Sequence, residues 1–216
     1  MHVDADLLER WQTGWCLARG VPLPTRGGGG LVVEVGWPEQ LRRHVFVDAG
    51  PALQACAARI DAPYVLLKAA VDCAQMRRAL PARWTIERPG YLMCLPAPMA
   101  RHWALPDGYV ARVDAEHGAQ LVRIADRAGE TAAVGRVVVN RATAVFDRIE
   151  TLEAHRRRGL GSALMCALDR LAEHGGATER LLVATEAGRE LYLSLGWRVL
   201  APYSTAVLAA PPVSPI

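Results

Sequence analysis

One segment restricts the fold more than any other, RIETLEAHRRRGLGSALMCALDRL, residues 148–171. It reads as a strand that passes through a short basic, glycine-containing turn straight into a helix. Leu160, Leu164, Ala167, Leu168 and Leu171 fall on one helical face, Ser162 stands in the first turn, and Gly175 and Gly176 behind His174 predict the stop. A helix with one such stripe packs that side on a sheet. The expected class is therefore α/β, with helices against a mixed sheet.

Arg156, Arg157, Arg158, Gly159, Leu160 and Gly161 lie at the start of that helix. Unpaired backbone N–H groups and the positive end of the helix dipole attract anions there. Gly159 and Gly161 carry no Cβ and so admit a phosphate close to the backbone, while the arginines supply charge. A pyrophosphate suits the turn. Arginines at a tight turn also occur as solvated surface residues, and it is the strand before and the helix after that favour the anion reading. The turn is not a P-loop, because GxxxxGK[ST] is absent, and GLGSAL does not fit GxGxxG.

Around this segment the elements fall into two series. A first helix has Asp4 or Asp6 as N-cap, Leu8, Trp11, Trp15 and Ala18 as its stripe and Gly20 as its stop; residues 21–30, ending in four glycines, read as a loop. Strands at 31–35 and 44–48, a helix at 51–60, a strand at 64–68, a helix at 71–80 and short strands at 84–86 and 91–94 follow, an order ββαβαββ. The run LPAPMARHWALPDG holds three prolines and no periodicity, which places a linker at 98–107 between domains 1–98 and 107–216. Strands at 109–113, 120–125, 131–139 and 144–152 form a meander, then come a helix at 160–174, a strand at 181–184, a helix at 186–195 and strands at 197–200 and 205–209. The last seven repeat the ββαβαββ order, which suggests an internal duplication without sequence identity.

Composition narrows the setting. The 216 residues are 51% hydrophobic, enough for a core, and Lys plus Arg at 25 against Asp plus Glu at 22 leaves a net charge of only +3. That balance, and the lack of aromatics among the three arginines, argues against nucleic acid and an anionic membrane as partners. The acidic N-terminus is unlike a signal peptide, and a cytoplasmic protein is expected. Cys16, Cys56, Cys73, Cys94 and Cys166 are scattered and odd in number, and read as reduced hydrophobes with no zinc site and no disulfide framework.

Residues 156–161 resemble, position by position, the acyl-CoA loop [QR]xxGx[GA] of the GCN5-related N-acetyltransferases (GNATs). LLVATEAGRELYLSLGWRVL is similar to that family's second signature, a strand and helix ending in LYxxxGF, with Trp197 in place of Phe. The resemblance spans about 109–210 and implies a GNAT fold there, acetyl-CoA as co-substrate and no metal. The first half has DAGPAL where the loop belongs, which implies a degenerate, smaller GNAT-like unit and a single CoA site.

The resemblance also implies roles. Backbone of residues 156–162, Arg156 through Ser162, would hold the pyrophosphate, and the strand around Thr151 and Leu152 would meet the pantetheine arm and supply an oxyanion donor. Tyr192 would protonate the leaving thiolate. Glu150 and Glu153, near the end of that strand, are the candidates to relieve the amine of its proton, with Glu186 a third; each also reads as an ordinary surface or helix-start acid. The expected reaction is acyl transfer to a primary amine of a small molecule or a protein; a non-catalytic acyl-CoA sensor is the alternative. A second copy of the chain is compatible as a further partner. Only a turn separates the strands at 109–113 and 120–125, where the family inserts two helices, so the first half, with Trp11 and Trp15, is expected to wall the acceptor side.

Overall fold

The computed structural model describes residues 3–99 and 104–208; residues 100–103 of the linker and Ala209 of the last expected strand lie outside them. The chain opens with α1 (Ala5–Arg19), capped by the Asp4 carboxylate on Leu7 N–H and closed by Gly20 at φ 63°. Strands β1 (Thr25–Gly27), β2 (Gly30–Trp37) and β3 (Gln40–Phe46) follow, then α2 (Pro51–Arg59), β4 (Val65–Ala69), α3 (Cys73–Ala79), β5 (Thr85–Ile86) and β6 (Gly90–Cys94). The second series is β7 (Val110–Glu116), β8 (Ala119–Ala125), β9 (Thr131–Asn140), β10 (Thr143–Thr151), α4 (Leu160–His174), β11 (Glu179–Thr185), α5 (Glu186–Ser194) and β12 (Arg198–Val207).

Two expectations change. Residues 25–30 are not a plain loop, because β1 and β2 pair in a hairpin through Gly28 and Gly29 at φ 61° and 79°, the left-handed pair that such a tight turn requires. The two C-terminal strands are a single strand, β12. Its first part pairs with β6 from Arg198 to Tyr203, and its last residues pair with β4 from Ser204 to Val207. In turn β6 lies between β12 and β11, antiparallel to both. The two halves therefore exchange strands, and one path runs β1-β2-β3-β4-β12-β6-β11-β10-β9-β8-β7.

Helix α4 packs on one face of the second half with Leu160, Leu164 and Leu168 against Val122, Val137 and Phe146. The opposite face is covered by α1, whose Leu8, Trp11 and Trp15 share a core with Val33, Val45, Leu92, Val145 and Leu181. Strands of both halves thus meet under one helix. Gly14 makes the approach possible, since a Cβ there would lie 2.3 Å from Val145 Cγ2. Arg19, in the last turn of α1, holds Asp147 of β10 through two hydrogen bonds of 2.7 and 2.8 Å. No helix among the described residues is long and apolar enough to cross a membrane.

Candidate active site

The parallel pair β10 and β11 is in register only from Thr143 with Glu179 to Val145 with Leu181. Beyond that point β10 continues beside β9 alone, and β11 continues beside β6 alone. The strands diverge and leave a wedge whose mouth faces the start of α4. A bulge between Asp147 and Glu150, with Arg148 at φ 50°, turns the end of β10 along the opening.

The basic turn sits at that mouth. Arg157 takes φ 63° and Gly159, the N-cap of α4, φ 79°. Ala163 N–H is the first of the helix to find its carbonyl, that of Gly159. The amides of residues 157–162 donate to no acceptor among the described residues. Six consecutive unanswered N–H groups, joined by the dipole of a 15-residue helix, form a concentrated anion field. All three arginines of the turn are exposed. Arg156 Nε donates to Thr151 O at 3.2 Å and Arg158 Nη1 to the Tyr109 hydroxyl at 3.1 Å; that hydroxyl also lies 3.0 Å from His155 Nδ1. Tyr109 and His155 thus brace the turn, a role invisible in the sequence.

The two glycines have different duties. A Cβ on Gly159 would meet nothing within 4 Å, so its surroundings are open and only its dihedral is special; a Cβ on Gly161 would lie 2.9 Å from Leu191 Cδ2. Gly161 thus lies against the end of the Leu191 side chain of α5, which a Cβ there would have to displace.

Tyr192 on α5 is 7% exposed and packs beside Trp197, and its hydroxyl makes no hydrogen bond to a described residue. Burial first, and then the charge of Asp147, push its phenol up to about 12. It is neutral and protonated at physiological pH, the state required of a proton donor.

The other expected residues separate. Leu152 N–H donates to Ala132 O at 2.9 Å, so the expectation of an oxyanion donor there is corrected: that hydrogen already belongs to the ladder with β9. By the alternation of an antiparallel pair, Thr151 N–H points the other way, into the wedge. Glu150 and Glu153 are exposed and enter no ion pair with a described residue. Glu186 is engaged, accepting from the Tyr91 hydroxyl and pairing with Arg189 at 2.9 Å. Trp11 is buried edge-on to Tyr203 at 5.2 Å, a core position, whereas Trp15 stands beside Arg19, Arg43 and Trp37. Among the described residues no group of three or more His, Cys, Asp or Glu is arranged to hold a metal ion.

A strand, an amide-rich turn and a helix stand here beside a splayed parallel pair, in a mixed α/β sheet. Residues 109–199 match the family model described as Acetyltransferase (GNAT) domain. Among solved structures, a GCN5-related N-acetyltransferase from Kribbella flavida superposes with a TM-score of 0.69 at 17% identity, over 98% of this chain and 97% of that one. A tandem GNAT protein from the clavulanic acid biosynthesis pathway gives 0.55 at 16% identity, over 74% and 68%. A GCN5-related N-acetyltransferase-like protein from Streptococcus suis gives 0.55 at 12%, over 83% of each chain. A search of curated proteins gave no match. At these identities the structural likeness speaks for the fold.

Proposed function

We propose that this protein transfers an acyl group from acyl-CoA, acetyl-CoA first, to a primary amine of a small molecule or protein. The observation that carries the reading is the run of unanswered amides at 157–162, set among Arg156, Arg157 and Arg158 where β10 and β11 part. A CoA pyrophosphate matches the turn in charge and size, and the wedge takes the arm as an added strand would be taken.

The residues then divide the work. Thr151 N–H stabilises negative charge as the thioester carbonyl is attacked. Tyr192 delivers its proton to the departing sulfur: its raised pKa keeps the phenol protonated until then, and the burial that raises it also makes a thiolate formed in the same space more basic. Glu150 or Glu153, exposed near the end of β10, accepts the proton the amine must lose, through water. CoA supplies the activated thioester; the chain supplies orientation, charge and protons.

Calorimetric titration of acetyl-CoA tests the turn. Gly159→Asp is the sharper variant, because its surroundings are open and aspartate tolerates the left-handed region better than most residues. Its carboxylate would lie against the amides, and acetyl-CoA should bind at least ~10-fold more weakly in a folded protein. Unchanged affinity removes the site.

A further inference from the structure

The sheet face beneath α1 carries positive charge without matching negative charge. Arg43 of β3 is 4% exposed, lies 3.4 Å from the Trp15 ring centroid, and forms no ion pair with a described residue; its Nε is buried without an acceptor. Lys68 of β4 projects from the same face, its register partner Val45 being two residues from Arg43. Its ammonium donates to Thr205 Oγ1 at 2.8 Å and also forms no ion pair. Tyr203, next along β12 on this face, is 3% exposed with its hydroxyl unpaired.

Asp147 acts on Arg43 and Glu87 on Lys68, neither within ion-pair distance, and Arg19 holds both oxygens of Asp147. The face is closed at one end, where the Arg19 and Arg148 guanidinium carbons lie 5.5 and 5.9 Å from the ring centroid of Trp37 at the tip of β2. The end of β2 thus stands near the bulge of β10, and we call the sheet face between them, beneath α1, the bay.

Buried cations without counter-charges are costly, and a folded chain retains them where another interaction compensates. Trp15 offsets part of the cost for Arg43 through its ring face. It does nothing for Lys68, whose ammonium is held down to about 7 by burial and by Arg43, with Glu87 opposing and Arg19 adding to the effect. The bay reaches the bulge of β10, where Arg19 of α1 holds Asp147 and where β10 leaves its pairing with β11.

We propose that this bay receives the anionic end of the acyl acceptor, an amine that also carries a compact oxyanion, a carboxylate or a phosphate, held by Arg43, Lys68 and the Tyr203 hydroxyl. Naming the ligand an amine rests on the acyl-transfer reading; the oxyanion site rests on the unmatched charges alone. The amine would lie toward Asp147 and the wedge, the oxyanion toward β4. A neutral amine would leave the cations as they stand, so selection falls on charge at a fixed distance from the nucleophile.

Matched pairs test the idea: phenylalanine against phenethylamine, glycine against methylamine, and phosphoethanolamine against ethanolamine, each followed by thiol release from acetyl-CoA and by thermal shift without it. The anionic member of at least one pair should be favoured ~30-fold or more in kcat/KM and should raise the melting temperature, and the responding pair tells carboxylate from phosphate. Lys68→Met should collapse that preference toward parity through KM, leave the neutral amine and acetyl-CoA affinity unchanged, and abolish the thermal shift; Arg43→Met should do the same if it folds. Equal use of both members of every pair, or a preference intact in Lys68→Met, overturns the proposal. Failure of acetyl-CoA to bind overturns the acyl-transfer reading instead, and the thermal shift still decides the oxyanion site.

Discussion

The two halves of the chain build the same unit, a strand, a turn, a helix and a parallel strand, and do opposite things with it. In the second half β10 and β11 part after three paired residues and the turn leaves six amides open. In the first half β3 and β4 stay paired to the ends of both strands, from Arg42 with Val65 to Phe46 with Ala69. There the turn meets its own needs: Asp48 Oδ1 accepts Gly50 N–H at 2.8 Å, and Pro51 at the first helical position has no hydrogen to offer. An anion site on this scaffold thus needs both a splayed pair and an unbroken run of open amides; the first half lacks the splayed pair, and its run is interrupted by the engaged Gly50 N–H and by Pro51. Its positive charge lies instead on the sheet face, at Arg43 and Lys68.

The largest expected effect separates chemistry from binding in the second half. Tyr192→Phe keeps the ring beside Trp197 and should lower turnover by ~10²-fold or more while acetyl-CoA affinity stays within twofold of wild type. Thiol release and calorimetry on the same preparation decide it; wild-type turnover would return Tyr192 to packing. The raised pKa adds a pH signature. An unfolded chain ionises this phenol near its ordinary value of 10 and the folded chain only near 12, so wild type loses stability as pH rises from 10 to 12. The phenylalanine variant should lose less over that window in denaturant titrations.

A smaller effect measures how firmly the halves are joined. Alanine is the better helix former by about 1 kcal/mol, which on propensity alone would make Gly14→Ala stabilising. Its Cβ would instead lie 2.3 and 2.7 Å from Val145 Cγ2 and Cβ, and overpacking of that kind costs about 1–3 kcal/mol. A net loss of about 1 kcal/mol is expected, with a single unfolding transition because α1 and β10 belong to one core. A gain in stability would mean that α1 rides more loosely on β10.

What could be read in the sequence was local. Helix ends were legible at Asp4 or Asp6, Gly20 and Gly175 because caps act within a few residues, and the basic turn was legible because its strand, glycines and helix are contiguous. The exchange of β6 and β12 was not legible, since each reads as an ordinary strand and nothing in it names its partner. Arg43 and Lys68 stayed hidden for a similar reason. In QLRRHVF and VLLKA nothing sets them apart from surface residues; Arg43 is buried because α1, some twenty-five residues before it in the chain, lies across β3, and Lys68 is half-buried beside Thr205 of the distant β12. The Arg19 to Asp147 pair spans 128 residues. The glycines at 27–30 misled because composition alone does not distinguish a hairpin turn from a loop.

The smallest expected effect bears most directly on the difference between the halves. If Asp48 alone kept the first-half turn from binding an anion, its removal would free Gly50 N–H and a second CoA site would emerge. The ladder argues otherwise. With β3 and β4 paired through Phe46 and Ala69, no wedge exists to take a pantetheine arm, and Pro51 still withholds one of the amides. Asp48→Ala should therefore cost only about 0.5–1 kcal/mol, the worth of one exposed turn hydrogen bond, and leave acetyl-CoA titrating at one equivalent. Two equivalents in that variant would show that the carboxylate, and not the closed ladder, distinguishes the first half from the second.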